Sequence, residues 1–304
     1  THYFLVVKTC SALYSECMNR RWALVDTPTQ LRKAERSIRT AGIIALDTEY
    51  DSFRYFRDKL CLIQAQTGEK TWIIDPLASL DLSFLGEVLN DPAVLKILHA
   101  GDNDIRILKR DYTFAFRNIF DTHRAASLLG CRRLSLATLL EDYLGVILVK
   151  KMQRSRWDLR PLSEEQLDYA ALDTAHLLNL YRKLDGELHE KGMEKEAKQL
   201  FAGMTAVEWQ PKTLDRMAHR RFPGYATLTP EQKDYLRRLF RWRFEKAQET
   251  NRSLFMILPD QHLVGLSRLE NPSLEAMAGP GLLSPEKVQR FGPELLEILQ
   301  ASST

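Results

Sequence analysis

Between residues 22 and 208, short apolar runs alternate with longer stretches of helical periodicity, and this alternation constrains the fold more than any other feature. Ile43-Ile44-Ala45-Leu46 is apolar without a break, as expected of a strand covered on both faces. Leu60-Cys61-Leu62-Ile63 and Thr71-Trp72-Ile73-Ile74 flank Thr67-Gly68-Glu69, which reads as an antiparallel hairpin. Leu95-Lys96-Ile97-Leu98 and Asn118-Ile119-Phe120 supply two further strands. Helical patterns over 28–39, 80–90, 102–110, 122–129, 135–144 and 164–190 lie between and after them. The expected architecture is α/β, a mixed five-stranded sheet with helices on both faces.

From Met193 onward no strand pattern recurs. Gln210-Pro211, Phe222-Pro223-Gly224 and Thr229-Pro230 punctuate a connecting segment, and a long helical pattern then runs from Glu231 to Thr250. Shorter helical patterns follow, broken at Pro259, Pro272, Pro280 and Pro285. The chain of 304 residues therefore divides into an N-terminal extension without an assignable role (1–21), an α/β domain (22–208), a linker (209–228) and a small all-α bundle (229–304). The formal net charge of +3 is carried by residues 209–304, while residues 1–208 balance, so overall charge does not mark a nucleic-acid binder. No apolar run approaches the ~20 residues of a membrane span. The four cysteines (Cys10, Cys17, Cys61, Cys131) are too few and scattered for a disulfide scaffold or a zinc site. With no signal-peptide pattern, the expected compartment is the cytoplasm, with no membrane partner.

Acidic pairs carry the chemistry. Asp47 and Glu49 end the first apolar strand at i and i+2, and the period of 2 turns both to one face. Two carboxylates sharing a buried face repel and lose solvation unless a cation lies between them, and Mg²⁺ or Mn²⁺ suits hard oxygen ligands. The alternative is that Asp47 only bonds a neighbouring loop. Tyr169 and Asp173, four residues apart, share a helix face, which a surface hydrogen bond would equally explain. In His99-Ala100-Gly101-Asp102-Asn103-Asp104 a strand gives way to a helix, and spacing alone leaves open whether Asp102 or Asp104 faces the other acids.

Taken together, Asp47-Thr48-Glu49, the segment from His99 to Asp104, and Tyr169-Ala170-Ala171-Leu172-Asp173 resemble the three exonuclease motifs of the DEDD superfamily. They are similar to its tyrosine subgroup, and specifically to the ribonuclease D family. Leu60-Cys61-Leu62-Ile63-Gln64, Ile74-Asp75-Pro76-Leu77, Phe120-Asp121-Thr122 and Trp157-Asp158-Leu159-Arg160-Pro161-Leu162 match the same family. Leu239, Trp242-Arg243, Ala247 and Phe255-Met256-Ile257-Leu258-Pro259-Asp260 resemble the helicase-and-RNase-D C-terminal (HRDC) domain. One departure follows motif one, where many ribonucleases D have Phe-Val-Arg and this chain has Tyr50-Asp51-Ser52.

The resemblance implies a ribonuclease H-like exonuclease domain in which Asp47, Glu49, Asp104 and Asp173 hold two divalent cations, Mg²⁺ or Mn²⁺, with Asp47 as the bridging ligand. Tyr169 would orient the attacking water, and no organic cofactor is expected. It selects Asp104 over Asp102, because the family's aspartate lies five residues after the histidine. The implied activity is that of a 3′→5′ exoribonuclease releasing 5′-mononucleotides from a free 3′-hydroxyl end, on tRNA-like precursors or other structured RNA. A Werner-type DNA exonuclease shares these motifs, and a catalytically silent RNA-binding adaptor is the alternative outside enzymes. Lys150, Lys151, Arg154, Arg156 and Arg160 form a cluster suited to phosphates, with Trp157 among them. Arg237 and Arg241 lie on a basic helix that would add auxiliary nucleic-acid contacts. His99, His176, Asp75 and Asp121 read as structural.

Overall fold

A computed structural model describes residues 21–68, 70–148 and 152–301. The N-terminal extension, apart from Arg21, lies outside the described residues, as do Glu69 of the hairpin and Lys150 and Lys151 of the basic cluster. The chain divides into two compact units, one of residues up to Asp51 and from Leu60 to Trp209, the other of Ser52–Lys59 with Gln210 onward.

The first unit is a mixed α/β sheet, as expected, but with six strands. They are β1 (Trp22–Val25), β2 (Ile43–Asp51), β3 (Lys59–Thr67), β4 (Lys70–Ile74), β5 (Leu95–Leu98) and β6 (Ile119–Asp121), in the order β1-β4-β3-β2-β5-β6. The strand absent from the expected five is β1, which pairs in parallel with β4 at the sheet edge. It is half-buried apart from Val25, so its sequence shows no continuous buried run. β3 and β4 form the hairpin with Ile63 opposite Ile74, and Gly68 turns it at φ +57°, a value that glycine reaches without strain. β2, β5 and β6 run parallel.

Alternation along the strands separates two apolar layers. Ile44 and Leu46 of β2, with Ile63 and Ala65 of β3, meet α1 (Pro28–Arg39), α2 (Ser83–Asn90) and α3 (Asp102–Tyr112) through residues such as Ala34, Ile38, Leu85, Leu89, Ile105 and Leu108. On the opposite face, Ala45 and Ile97 meet Leu177, while Leu62 and Ile73 meet Leu167, Ala170 and Ala171. Those partners belong to α6 (Glu164–Ala175) and α7 (Leu177–Glu190). α4 (Thr122–Leu128), α5 (Leu136–Leu144) and α8 (Glu194–Met204) pack beside α7 around Phe120, Leu139, Leu180, Leu184 and Phe201.

The helical pattern of 164–190 is two helices. It breaks at His176 (φ −111°, ψ −3°), and the Ala175 carbonyl at the end of α6 accepts a bond from Gln66 Nε2 at 3.0 Å. Such carbonyls lack helical partners at a C-terminus, so the sheet supplies one.

The second unit is helical. Its helices are α9 (Pro230–Thr250), α10 (Leu254–Ile257), α11 (Asp260–Ser267), α12 (Leu274–Met277) and α13 (Pro285–Gln300). A reciprocal capping box starts α9: Gln232 N donates to Thr229 Oγ1 at 3.2 Å, and Thr229 N to Gln232 Oε1 at 3.0 Å. Leu236, Leu239, Trp242, Leu263, Met277 and Leu295 fill the core, and Phe56 from the distant 52–59 segment joins them. Phe56 is 5% exposed and meets Phe244 edge-on at 5.1 Å, a burial worth about 1.5–3 kcal/mol. Two hydrogen bonds hold the segment: Arg57 N donates to the Asn251 side-chain Oδ1 (2.8 Å), and Ser253 N donates to Arg54 O (3.0 Å). Among the described residues no helix is long and apolar enough to cross a membrane.

Candidate active site

β2 delivers two acids to one face. Ala45 packs toward α7, so Asp47 and Glu49, two and four residues on, face the α6–α7 layer. The Ser163–Gln166 capping box starts α6, with Gln166 N donating to Ser163 Oγ at 3.2 Å and Ser163 N to Gln166 Oε1 at 2.9 Å. With Leu167, Ala170, Ala171 and Thr174 turned to the sheet, Tyr169 and Asp173 come together on an adjoining stripe. Asp47, Glu49 and Asp173 each offer a carboxylate oxygen, and the three oxygens lie within 4.8 Å of one another.

Asp104 arrives from the other layer. Its helix, α3, packs Ile105, Ile107 and Leu108 on the opposite sheet face, and the buried Asp104 accepts a bond from Thr48 Oγ1. Thr48 points away from Asp47 and Glu49 by the same alternation that pairs them, so β2 addresses both layers through three consecutive residues. The start of α3 is closely fitted. A Cβ on Gly101 would meet Leu98 Cδ2 at 2.4 Å, and Gly101 N donates to Asp121 Oδ2 at 2.9 Å. Asp102 faces elsewhere, with Arg124 Nη2 donating to both its oxygens at 3.0 Å.

The electrostatics are those of crowded like charge. Burial, then the charges of Asp104, Asp173 and Glu49, push the Asp47 carboxyl well above its ordinary range. Burial, then Asp173 and Asp104, do the same to Glu49. Asp104 is pushed up to about 6, chiefly by burial and against the Thr48 bond. Burial and the neighbouring Asp173, Glu49 and Asp47 also raise the Tyr169 phenol, so it stays protonated at neutral pH and can donate. Trp157 backs its ring at 6.0 Å between centroids. Hard oxygen donors converging at this spacing, with burial opposing their charge, fit divalent cations such as Mg²⁺ or Mn²⁺.

The residues read as structural have structural partners. His99 Nδ1 bonds Thr122 Oγ1 at 2.9 Å, and burial, then His123, pushes its ring down to about 4. Asp121 caps α4 by accepting from Arg124 N at 2.8 Å. Asp75 accepts from Leu77 N at 2.8 Å and from Arg160 at 2.5 and 2.7 Å.

That last pair gives Arg160, one of the expected phosphate contacts, partners within the protein. All five N–H donors of Arg160 are engaged: Nε and Nη2 on Asp75, Nη2 also on Cys61 O (2.8 Å), and Nη1 on Trp157 O (2.8 Å) and Leu159 O (2.7 Å). Arg156 donates to Asp158 at 2.8 and 3.0 Å, and both it and Arg154 are exposed. Arg237 pairs with Asp234, and Arg241 lies 3.9 Å from Glu245; both are solvent-exposed. Thr48, Gly101 and the Gln66 strut beneath α6 join the site only in the fold. A polar residue between two motif acids on a strand is the only local signal that any of them gives.

Residues 22–189 match the 3′-5′ exonuclease family model, and residues 232–299 match the HRDC domain. The chain is 34% identical over 251 residues to an exosome complex component 10 homolog of Drosophila melanogaster, covering 80% of this chain and only 28% of that protein. It is 35% identical over 266 residues to ribonuclease D of Pseudomonas paraeruginosa, covering 87% of this chain and 70% of that one. Among solved structures, Escherichia coli RNase D, described as an exoribonuclease involved in structured RNA processing, aligns with a TM-score of 0.68 at 30% identity, over 92% of this chain and 74% of that one. Brucella melitensis NrnC with bound Mg²⁺ aligns with a TM-score of 0.53 at 25% identity, over 61% and 90%. With three ordered acidic motifs on this sheet and an HRDC region following them in the sequence, the chain belongs to the ribonuclease D family of 3′→5′ exonucleases.

Proposed function

We propose that this chain is a metal-dependent 3′→5′ exoribonuclease, hydrolysing phosphodiester bonds from a free 3′-hydroxyl end and releasing 5′-mononucleotides. The observation that carries the reading is the convergence of the Asp47, Glu49 and Asp173 oxygens within 4.8 Å, with the buried Asp104 adding its charge. These four acids would hold two divalent cations, Mg²⁺ or Mn²⁺, and the Mg²⁺ in the NrnC structure supports that assignment. Cations bound there supply a deprotonated water and offset charge on the departing oxygen. The protein's own part is to orient. Tyr169, held protonated and backed by Trp157, donates a hydrogen bond that aligns the attacking water.

The substrate in this reading is RNA, tRNA-like precursors or other structured RNA, in keeping with the description of the E. coli relative. Arg154 offers an exposed charge for phosphates in the exonuclease domain (22–208). Across the linker (209–228), Arg237 and Arg241 offer auxiliary contacts in the helical domain (229–304). A cytoplasmic setting accords with Cys61 and Cys131 being free thiols.

The test is incubation with Mg²⁺ and 5′-end-labelled RNA or DNA of equal sequence, resolved nucleotide by nucleotide. A ladder shortening from the 3′ end on RNA, abolished by EDTA and by Asp47→Asn, is expected. Preferential shortening of DNA would favour the Werner-type reading, and no shortening of either would leave an RNA-binding adaptor.

A further inference from the structure

Gln64 is fully buried, and the whole of its hydrogen-bonding head is unused. Its exposure is 0%, and neither Nε2 nor Oε1 has a partner. Such a group is costly to keep, since an apolar side chain of similar shape would avoid the loss.

Its place in the fold is specific. Leu62, two residues before it on β3, packs against Leu167, Ala170 and Ala171 of α6, and Gln66, two residues after it, donates to Ala175 O at the foot of that helix. Gln64 therefore lies on the α6 face of β3. The adjacent strand is β2, whose residues on that same face include Asp47 and Glu49. Same-face neighbours on adjacent strands stand about 4.5–5.5 Å apart when opposite and about 7–8 Å on the diagonal, and a glutamine spans either.

The carboxylates have the complementary need. A carboxylate that ligates a cation through one oxygen relies on outer donors to fix the other, and such donors strengthen metal binding. We propose that Gln64 is a positioning residue for the β2 acids: with divalent cations bound, its carboxamide N–H donates to the outer oxygen of this carboxylate pair and holds it in ligating geometry. The inference rests on the metal-dependent reading above.

The experiment compares the full-length protein with Gln64→Met, which keeps the volume and removes the donor. Mg²⁺ and Mn²⁺ binding is measured by calorimetric titration and by the cation-induced shift in melting temperature. The expected result is a cation-free variant melting at or above the parent, with cation affinity weakened about 10-fold or more. RNA turnover should fall at low Mg²⁺ and recover at high Mg²⁺ with KM for RNA unchanged. A structural glutamine would give the reverse, a lower cation-free melting temperature with an unchanged binding midpoint, and that result overturns the proposal. If the parent itself binds neither cation, the metal-dependent reading fails and takes the inference with it. Equal cation binding by parent and variant overturns the inference alone. Should Gln64→Met not fold, Gln64→Leu gives the same comparison with less volume.

Discussion

Asp47, midway along β2, and Asp75, just past the end of β4, belong to the same sheet, and the protein treats them oppositely. Asp75 meets a guanidinium whose every donor is engaged, two bonds going to its own oxygens and three to nearby carbonyls. Asp47 meets Glu49, Asp104 and Asp173, charges of its own sign. A buried carboxylate with a built-in counter-charge completes a fold. A buried carboxylate surrounded by others leaves the fold with a charge to be neutralised from outside. The first arrangement locks β4 to the loop carrying Trp157, and the second fits a centre for cations.

The contrast can be broken most sharply at the acids. Asp47→Asn and Asp173→Asn should each abolish hydrolysis, by orders of magnitude in single-turnover rate, while RNA binding in a filter assay stays measurable. Near-normal turnover in either variant, with cation concentration controlled, would remove these residues from the site. Asp104→Asn should approach that loss whereas Asp102→Asn should not, since Asp102 holds a half-exposed pair with Arg124 worth about 0.2–1 kcal/mol. Equal losses would mean that both aspartates serve the reaction.

Arg160→Met tests the other side. It strands Asp75, 6% exposed, beside a lost partner that is itself 28% exposed. The expected cost is about 2–3 kcal/mol in urea unfolding, below the about 3–5 kcal/mol of a fully buried pair because water reaches the guanidinium. A variant of parental stability with weakened RNA binding would restore Arg160 as a phosphate contact.

Acidity sharpens the comparison further. Asp104 titrates at about 6 in the fold, above its ordinary 3.8, so the folded state binds its proton more tightly than the unfolded chain does. Its contribution to stability is full below about pH 4 and is lost as pH rises through about 6, on the order of 3 kcal/mol, with Asp47 and Glu49 acting in the same direction. Without divalent cations, stability should therefore fall from pH 5 to 7.5, and added Mg²⁺ should raise the melting temperature more at pH 7.5 than at pH 5. A Mg²⁺ effect independent of pH would argue against these acids as its site. The smallest effect belongs to the second unit. Replacing Arg237 and Arg241 by alanine should reduce the log–log salt dependence of RNA affinity by about 0.7 per lost single-strand contact, and an unchanged slope would assign that helix another role.

Much of this was legible in the chain. Apolar runs located five strands because strands covered on both faces carry an uninterrupted signal, and the i, i+2 and i, i+4 spacings paired the acids because strand and helix periods are local properties. The unread parts depend on distant partners. β1 is an edge strand identified only by its pairing with β4. The stripe of 164–190 continues through the break at His176, which a sheet glutamine 109 residues away helps to satisfy. Arg160 looks the same in sequence whether it faces a phosphate or Asp75, and Asp102 and Asp104 part company only when Arg124 and Thr48 take their places.

Phe56 bears on how far the chain is modular. Its ring and the 52–59 segment around it complete a core whose other members come from beyond Gln210, so the helical unit is not a contiguous piece of sequence. An excised HRDC segment would carry a vacancy where that ring belongs, and an exonuclease segment ending near residue 209 would display a tongue bearing Phe53, Tyr55 and Phe56 between two of its own strands. During synthesis that tongue emerges roughly 170 to 190 residues ahead of the helix that buries it, a long wait for an exposed aromatic segment at chain elongation rates of about 5–20 residues per second. Grafting either half onto a foreign partner would therefore require the tongue to be traded along with the helices.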